Sequence, residues 1–375
     1  MLQPILSKMA SIVLLLLLLP RQPISMMLNL KRWKNLSNSN ASYVAGKYKM
    51  LEGNEAIFLN LMSVAITAFV IVTILISAII PLIKNNLNSF GFIARKRTLW
   101  LLATAPWWIA LCCVVIFFPR QDTNNLIALM EKIAHWHHID VFKFTSWHGL
   151  TLVVAALILA VMINLMFVQV RRHSIAMHNL FKFSDMQPIS CDNNQTIYSI
   201  ALSIPAAFTI GLLKPRVYLT TGLLQQLEPS ALDIIIQHEL AHVRARDPLF
   251  KSIYSFFCLL YPKPIRRILQ QHFTLLTEQQ ADSVVTGYHD NLDVAQTLIS
   301  VAKKQRQFPQ SCEGSLVSHF SHDQITLRVQ KLLSPQSQIS ELTLVFTGLC
   351  FLTAMLFTVL MVDGLHHLIE TYFIH

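Results

Sequence analysis

The sequence predicts a polytopic α-helical membrane protein with about four transmembrane helices and a mostly α, minor β domain between helices three and four. Hydrophobic residues make up 53% of the 375 residues, and charged residues make up only 13%. That charged fraction is about half of what soluble proteins carry. Four apolar runs lack Lys, Arg, Asp and Glu, and each is long enough to cross a bilayer. They cover about residues 56–83, 99–118, 150–170 and 342–362.

These runs divide the chain into parts with different expected roles. Residues 55–170 are predicted to form three transmembrane helices with short loops, 342–362 a fourth, and 363–375 a short outer tail. Residues 171–341 form a long segment of mixed polarity that could bury a core of its own. Residues 1–54 are either a signal-like segment or a region upstream of the true start codon.

The basic residues predict which side of the membrane the long segment occupies. The loop between the first two runs carries four basic residues and no acid, whereas the loop between runs two and three balances three basic against three acidic residues. The positive-inside rule therefore places the first loop and residues 171–341 in the cytoplasm. The basic stretch before Met50 conflicts with this, unless the chain starts at Met50 or has a further N-terminal span. The net charge of +10 fits basic cytoplasmic faces, and we expect no direct contact with nucleic acid.

The motif "IIIQHELAHVRARD", at residues 234–247, carries the chemistry of the long segment. We predict a helix over 229–246, followed by Asp247 as the N-cap of a next helix that begins at Pro248. On the first helix His238 and His242 share a face and can reach one metal ion. Glu239 is offset from His238 by about 100° and can act as a general base toward a zinc-activated water. A chance HExxH pattern on a polar helix face is the alternative.

A catalytic zinc ion needs a third protein ligand. Downstream, "TLLTEQQADSVVTGY" places Glu278 and Asp282 one helical turn apart. Glu278 suits the third ligand, and Asp282 can accept a hydrogen bond from a ligating imidazole. Without the HExxH motif, the two would be interpreted as solvated charges on an amphipathic helix.

"HELAHVRARD", followed by "EQQAD", resembles integral membrane zinc metallopeptidases of the gluzincin type. With "AAFTIGLLKPRVYLTTGLLQQL" at 206–227, the chain resembles the BlaR/MecR-type antirepressor family in particular, over roughly residues 56–362. The resemblance implies one Zn²⁺ held by His238, His242 and Glu278, with Glu239 as catalytic base. It also implies a bacterial inner-membrane endopeptidase in signalling, which cleaves itself or a cytoplasmic winged-helix repressor.

The chain departs from the penicillin-sensing members of that family after the fourth run. Only residues 363–375 follow it, too few for the sensor domain, so we do not expect direct β-lactam sensing. His322 and Arg328 in "SHDQITLRVQKLL" resemble a His…Arg pair near the end of related membrane metalloproteases, in which such a histidine can stabilise the oxyanion, so His322 is a further candidate. A surface histidine at the start of an amphipathic helix is the simpler interpretation.

Two alternatives to a signalling protease remain open. One is a quality-control or processing protease of the HtpX or CAAX-protease kind, and the other is a non-catalytic receptor with a vestigial metal site. We also expect "RVYLT" to offer an edge strand to an extended peptide. The segment at 248–262 is too short to span the bilayer, so we expect a core helix or a helix lying on the membrane.

Overall fold

The computed structural model describes residues 51–118, 141–144, 146–183, 186–189, 197–307, 322–334 and 342–373. Almost all of the uncertain N-terminal segment 1–54 therefore lies outside the described residues. Glu52–His375 form one compact unit, and the account below concerns the described part of that unit. Two short strands, β1 (Leu51–Glu52) and β2 (Val141–Phe142), have two residues each.

Four long helices contain the predicted apolar runs. They are α1 (Asn54–Ile83), α2 (Phe92–Phe117), α3 (Trp147–Phe183) and α10 (Leu342–Phe373). Each contains a stretch long and apolar enough to cross a membrane, which confirms a mostly helical chain with four candidate spans. Two boundaries differ from the sequence prediction, because α3 continues beyond its apolar run to Phe183 and α10 continues through the predicted tail to Phe373.

Six shorter helices are described between α3 and α10. They are α4 (Thr221–Gln226), α5 (Pro229–Ala245), α6 (Asp247–Phe257), α7 (Lys263–Val285), α8 (Asn291–Arg306) and α9 (His322–Leu333). One-turn 3₁₀ helices lie at Asn86–Ser89 and Cys258–Leu260. The second of these follows α6 directly, so α6 and α7 are joined by a tight turn.

A four-stranded sheet precedes the HExxH helix. Its strands are β3 (Met186–Ile189), β4 (Ile197–Ile200), β5 (Ala207–Ile210) and β6 (Arg216–Thr220). The order is β3-β4-β6-β5, with β4 and β6 parallel and the other pairs antiparallel. The expectation that "RVYLT" is an edge strand is therefore wrong. This segment is β6, which lies inside the sheet because four of its five residues are buried, and β5 forms the edge instead.

The membrane helices and the helices of the long segment share one hydrophobic core. A cluster of buried apolar residues runs through α1 and α2 and continues into α6 and α7. A smaller cluster joins β4 and β6 to α4 and α5, and a third joins α5, α7, α8 and α9. The HExxH helix α5 is thus held between the sheet and the helices that follow it.

Candidate metal centre

Helix α5 has the start and the end that its sequence predicts. Pro229 lies in the first turn, where its fixed φ suits the helix and its missing N–H costs no hydrogen bond. The helix stops at Arg246, which has a left-handed backbone with φ 52°. Its N–H donates to the carbonyl groups of His242 and Val243, which satisfies the end of the helix. Asp247 then begins α6 without a linker.

Three side chains from α5 and α7 converge on one point. His242 Nε2 lies 3.2 Å from His238 Nε2, and Glu278 Oε2 lies 3.3 Å from His238 Nε2. Glu278 Oε1 lies 3.6 Å from His242 Nε2. Ligands at about 2.0–2.1 Å in a tetrahedral zinc site are separated by about 3.3 Å from one another. The spacing and the two-nitrogen, one-carboxylate donor set therefore fit a zinc ion.

The other ring nitrogen of each histidine faces a carboxylate. His238 Nδ1 lies 3.0 Å from Asp282 Oδ1, and His242 Nδ1 lies 2.6 Å from Asp247 Oδ2. Such contacts fix the orientation of an imidazole ring and direct its other nitrogen toward a metal. Sequence reasoning placed Asp282 here but interpreted Asp247 only as a helix cap. In the structure Arg246 occupies the N-cap position of α6, and the Asp247 carboxylate orients His242.

The charge of the centre is unbalanced. Four carboxylates lie buried in it, on Glu239, Asp247, Glu278 and Asp282. Two cationic side chains face them. Lys251 Nζ donates to Glu278 Oε1 at 3.1 Å, and buried Arg328 donates through two nitrogens to Asp282 at 2.6 and 2.8 Å. With neutral imidazoles the cluster carries two excess negative charges, which a divalent cation would compensate.

The charged neighbours of Glu278 and Asp282 keep these two acids ionised, and the acids in turn favour a bound cation. Burial by itself would raise the pKa of Glu278, but the charges of Lys251 and His242 hold it well below its usual range. Burial would likewise raise the pKa of Asp282, and Arg328 lowers it. Burial would lower the pKa of His242, but Glu278 and Asp247 raise it to about 10. The site thus attracts positive charge, whether a proton or a metal ion.

Glu239 lies beside the cluster and is held by the sheet. The hydroxyl group of Thr209, on edge strand β5, donates to Glu239 Oε2 at 2.7 Å. Sequence reasoning missed Thr209, because its contact with Glu239 spans 30 residues and depends on the packing of β5 against α5. An apolar pocket adjoins His238 and Glu239 and is lined by side chains of α5, α7, α8 and α9.

His322 is the first residue of α9, but its side chain lies outside the described residues. Its proposed role at the oxyanion stays a prediction. Arg328, one and a half turns later on the same helix, reaches the centre and lies 3.5 Å from His238 Nε2 through its Nη2 atom. The sequence indicates Arg328 only as the partner of His322 in a motif and does not predict its contact with Asp282.

The contact between Asp282 and His238 generates a first prediction. Asp282→Asn should lower zinc affinity about 10- to 100-fold, because it weakens the support of His238 and removes one of the two carboxylates that Arg328 contacts. Competition with a chromophoric zinc chelator in detergent measures this. Asp293→Asn, at an exposed position on α8, is the matched control. Equal affinities in the two variants would show that Asp282 does not support the metal.

Two comparisons with known proteins bear on this geometry. Among curated proteins, none matches the chain. The family model of the BlaR1 peptidase M56 family matches residues 58–332, which include the three converging residues, Glu239 and nearly all of the first three apolar helices. Since this match covers well over half of the sequence, the chain belongs to the BlaR1 peptidase M56 family.

Proposed function

We propose that this membrane protein is a zinc-dependent endopeptidase in which His238, His242 and Glu278 hold the metal and Glu239 is the catalytic base. The observation that carries the proposal is the convergence of the two Nε2 atoms and the Glu278 carboxylate at about the spacing of a tetrahedral zinc site. Membership of a peptidase family supports the same reaction.

The chain supplies the proton transfers of peptide hydrolysis. Bound zinc contributes Lewis acidity, which polarises a carbonyl group and lowers the pKa of water. Glu239 accepts the proton of the attacking water at Oε1 and passes it to the leaving amine, while Oε2 is held by the Thr209 hydroxyl. His242 and His238 keep their orientation through Asp247 and Asp282.

Edge strand β5 supplies a surface for the substrate. In the described sheet, β5 pairs with β6 on one side, so its other side can pair with an extended peptide. Because Thr209 on β5 contacts Glu239, a peptide bound there would run beside the catalytic base. The apolar pocket next to His238 and Glu239 would receive one of its side chains.

We assign the catalytic segment to the cytoplasmic side of a bacterial inner membrane and the activity to regulatory proteolysis. Arg95, Lys96 and Arg97 at the start of α2 support this orientation. As substrate we propose a winged-helix repressor or the chain itself, as the resemblance to BlaR/MecR-type antirepressors implies.

Glu239→Gln tests the catalytic assignment. The variant should bind one zinc ion per chain like the wild type and lose at least about 10²-fold in cleavage, because it keeps the ligands and removes the proton acceptor. Zinc content and cleavage of the chain and of a quenched-peptide library are measured on protein in liposomes. Glu228→Gln, at an exposed position before α5, is the control. Undiminished cleavage by Glu239→Gln would refute the role of Glu239, and loss of zinc in it would point to a structural effect.

Thr209→Val and Thr209→Ser test how Glu239 is positioned. The valine variant keeps the shape of the side chain and removes the hydroxyl group, so kcat should fall about tenfold with little change in KM, since a charge-assisted hydrogen bond contributes about 1.5–3 kcal/mol. Serine keeps the hydroxyl group and should restore most of kcat. Equal activity of all three chains would show that Thr209 only fills space in β5.

The orientation is tested with a cysteine at Asp293 and a membrane-impermeant maleimide. Asp293→Cys should be labelled in inside-out vesicles and protected in intact spheroplasts, and Asp122→Cys, in the loop between the second and third runs, should behave in the opposite way. The unmodified chain gives the background from native cysteines. The reverse pattern would place the catalytic segment outside the cell.

A further inference from the structure

Helix α6 exposes an apolar face that the proposed chemistry does not use. Phe250, Ile253 and Phe256 are 40%, 37% and 48% exposed, and their spacing places them on one side of the helix. Lys251, on the opposite side, reaches the metal centre, and Tyr254 is buried on the flank between the two sides. A contiguous exposed patch of large apolar side chains marks an interaction surface.

Successive residues of α6 contact successive residues of α2, from the charged start of α2 toward its apolar middle. At the start of α6, Phe250 lies under Lys96 Nζ, which is 5.9 Å from the ring centroid. In the middle, the Tyr254 hydroxyl donates to the Leu99 carbonyl at 3.3 Å. At the end, the ring of Phe257 lies 6.2 Å from that of Trp107.

These contacts indicate how far α6 extends into the membrane. Lys96 and Arg97 are the last charged residues of α2, and only uncharged residues follow them to Phe117. Trp107 is ten residues beyond Arg97, which corresponds to about 15 Å along a helix. The hydrocarbon core of a bilayer is about 30 Å thick. The ring of Phe257 also lies 6.4 Å from that of Trp100, three residues beyond Arg97. The end of α6 therefore lies between about 5 and 15 Å beyond the charged start of α2, inside one leaflet, if α2 spans the membrane.

The turn after α6 is packed against protein, and exposed Lys263 and Arg267, which follow it, can extend their charged ends to the headgroup layer. Irregular backbone is tolerated inside a membrane only where it is buried in protein, and Cys258 and Tyr261, which flank the turn, are both buried. The Tyr261 hydroxyl donates to the Leu102 carbonyl at 2.6 Å. Helix α7 then returns, since Gln279 accepts a hydrogen bond from Arg95 Nη1 at 2.9 Å, at the charged end of α2.

We propose that α6 and the 3₁₀ turn at Cys258–Leu260 form a re-entrant element that enters one leaflet, with Phe250, Ile253 and Phe256 in contact with lipid acyl chains. Helix α7 brings the chain back to the headgroup layer. The metal centre then lies at the bilayer surface, because α6 contributes both Asp247 and Lys251 to it. A consequence that rests on the proposed function is that peptide bonds are cleaved next to the membrane.

Depth-dependent fluorescence quenching tests the element in the full chain reconstituted into phosphatidylcholine and phosphatidylglycerol vesicles. A fluorescent amino acid is inserted by codon suppression at Ile253 or, in a second chain, at Phe256. Lipids brominated on their acyl chains quench from the hydrocarbon, and iodide quenches from water. Ile299 on α8 is the matched control, because it has the same side chain and is 38% exposed. Leu157, an exposed residue of the apolar stretch of α3, is the lipid reference.

We expect positions 253 and 256 to be quenched by brominated lipid as strongly as position 157, and position 299 to be quenched mainly by iodide. Iodide quenching at 253 and 256 like that at 299 would overturn the proposal. Quenching by neither agent would also overturn it, since the face would then be covered by protein, either another part of this chain or a second copy. The measurement requires no catalysis, so its outcome is independent of whether the chain proves to be a protease.

Discussion

Burial of carboxylates around two imidazoles is the constraint on which the rest of this structure depends. An uncompensated charge inside a protein costs several kcal/mol, and a pair is tolerated only with good geometry. Asp247, Glu278 and Asp282 each have a partner on a different helix, and these contacts join four helices. Glu239 is held by Thr209 of strand β5. Helix α9 supplies Arg328 to Asp282, and α6 supplies Asp247 and Lys251 to the two ligands on α5 and α7.

The same polar contacts extend to the membrane helices. Arg95, buried at the start of α2, donates to the Gln279 side chain, and Gln279 Nε2 donates to the Leu327 carbonyl at 3.2 Å. Gln279 follows Glu278 directly, and Leu327 precedes Arg328. Glu278 and Arg328, which face each other at 3.3 Å, are therefore each one residue from a hydrogen-bonded link to α2. The metal centre and the spanning helices are parts of one packed body, which agrees with the hydrophobic core they share.

Local patterns carried most of what the sequence could predict. His238 and His242, and likewise Glu278 and Asp282, lie one helical turn apart, so helical periodicity alone places each pair on one face. The four long helices could be predicted for the same reason, since the length and composition of an apolar run are local properties of the sequence. The contacts of Thr209 with Glu239 and of Arg328 with Asp282 could not be predicted, because they join residues that are 30 and 46 positions apart in the sequence. The interior place of β6 could not be predicted from "RVYLT" alone, since Val217 and Leu219 alternate with the polar residues Arg216, Tyr218 and Thr220, a pattern that an edge strand shares.

Asp247 shows why local rules misjudged one residue of the site. An aspartate followed by proline is the usual signal for a helix cap, and a helix does begin there. Arg246, however, turns the chain through a left-handed conformation, which brings the Asp247 carboxylate back against His242 instead of leaving it at the helix end. One turn later Lys251 reaches Glu278 from the same helix. Helix α6, with eleven residues, therefore carries both the face that contacts the metal centre and the exposed apolar face. A tilt of this helix would move the support of a metal ligand together with the apolar patch, so the two cannot be adjusted independently.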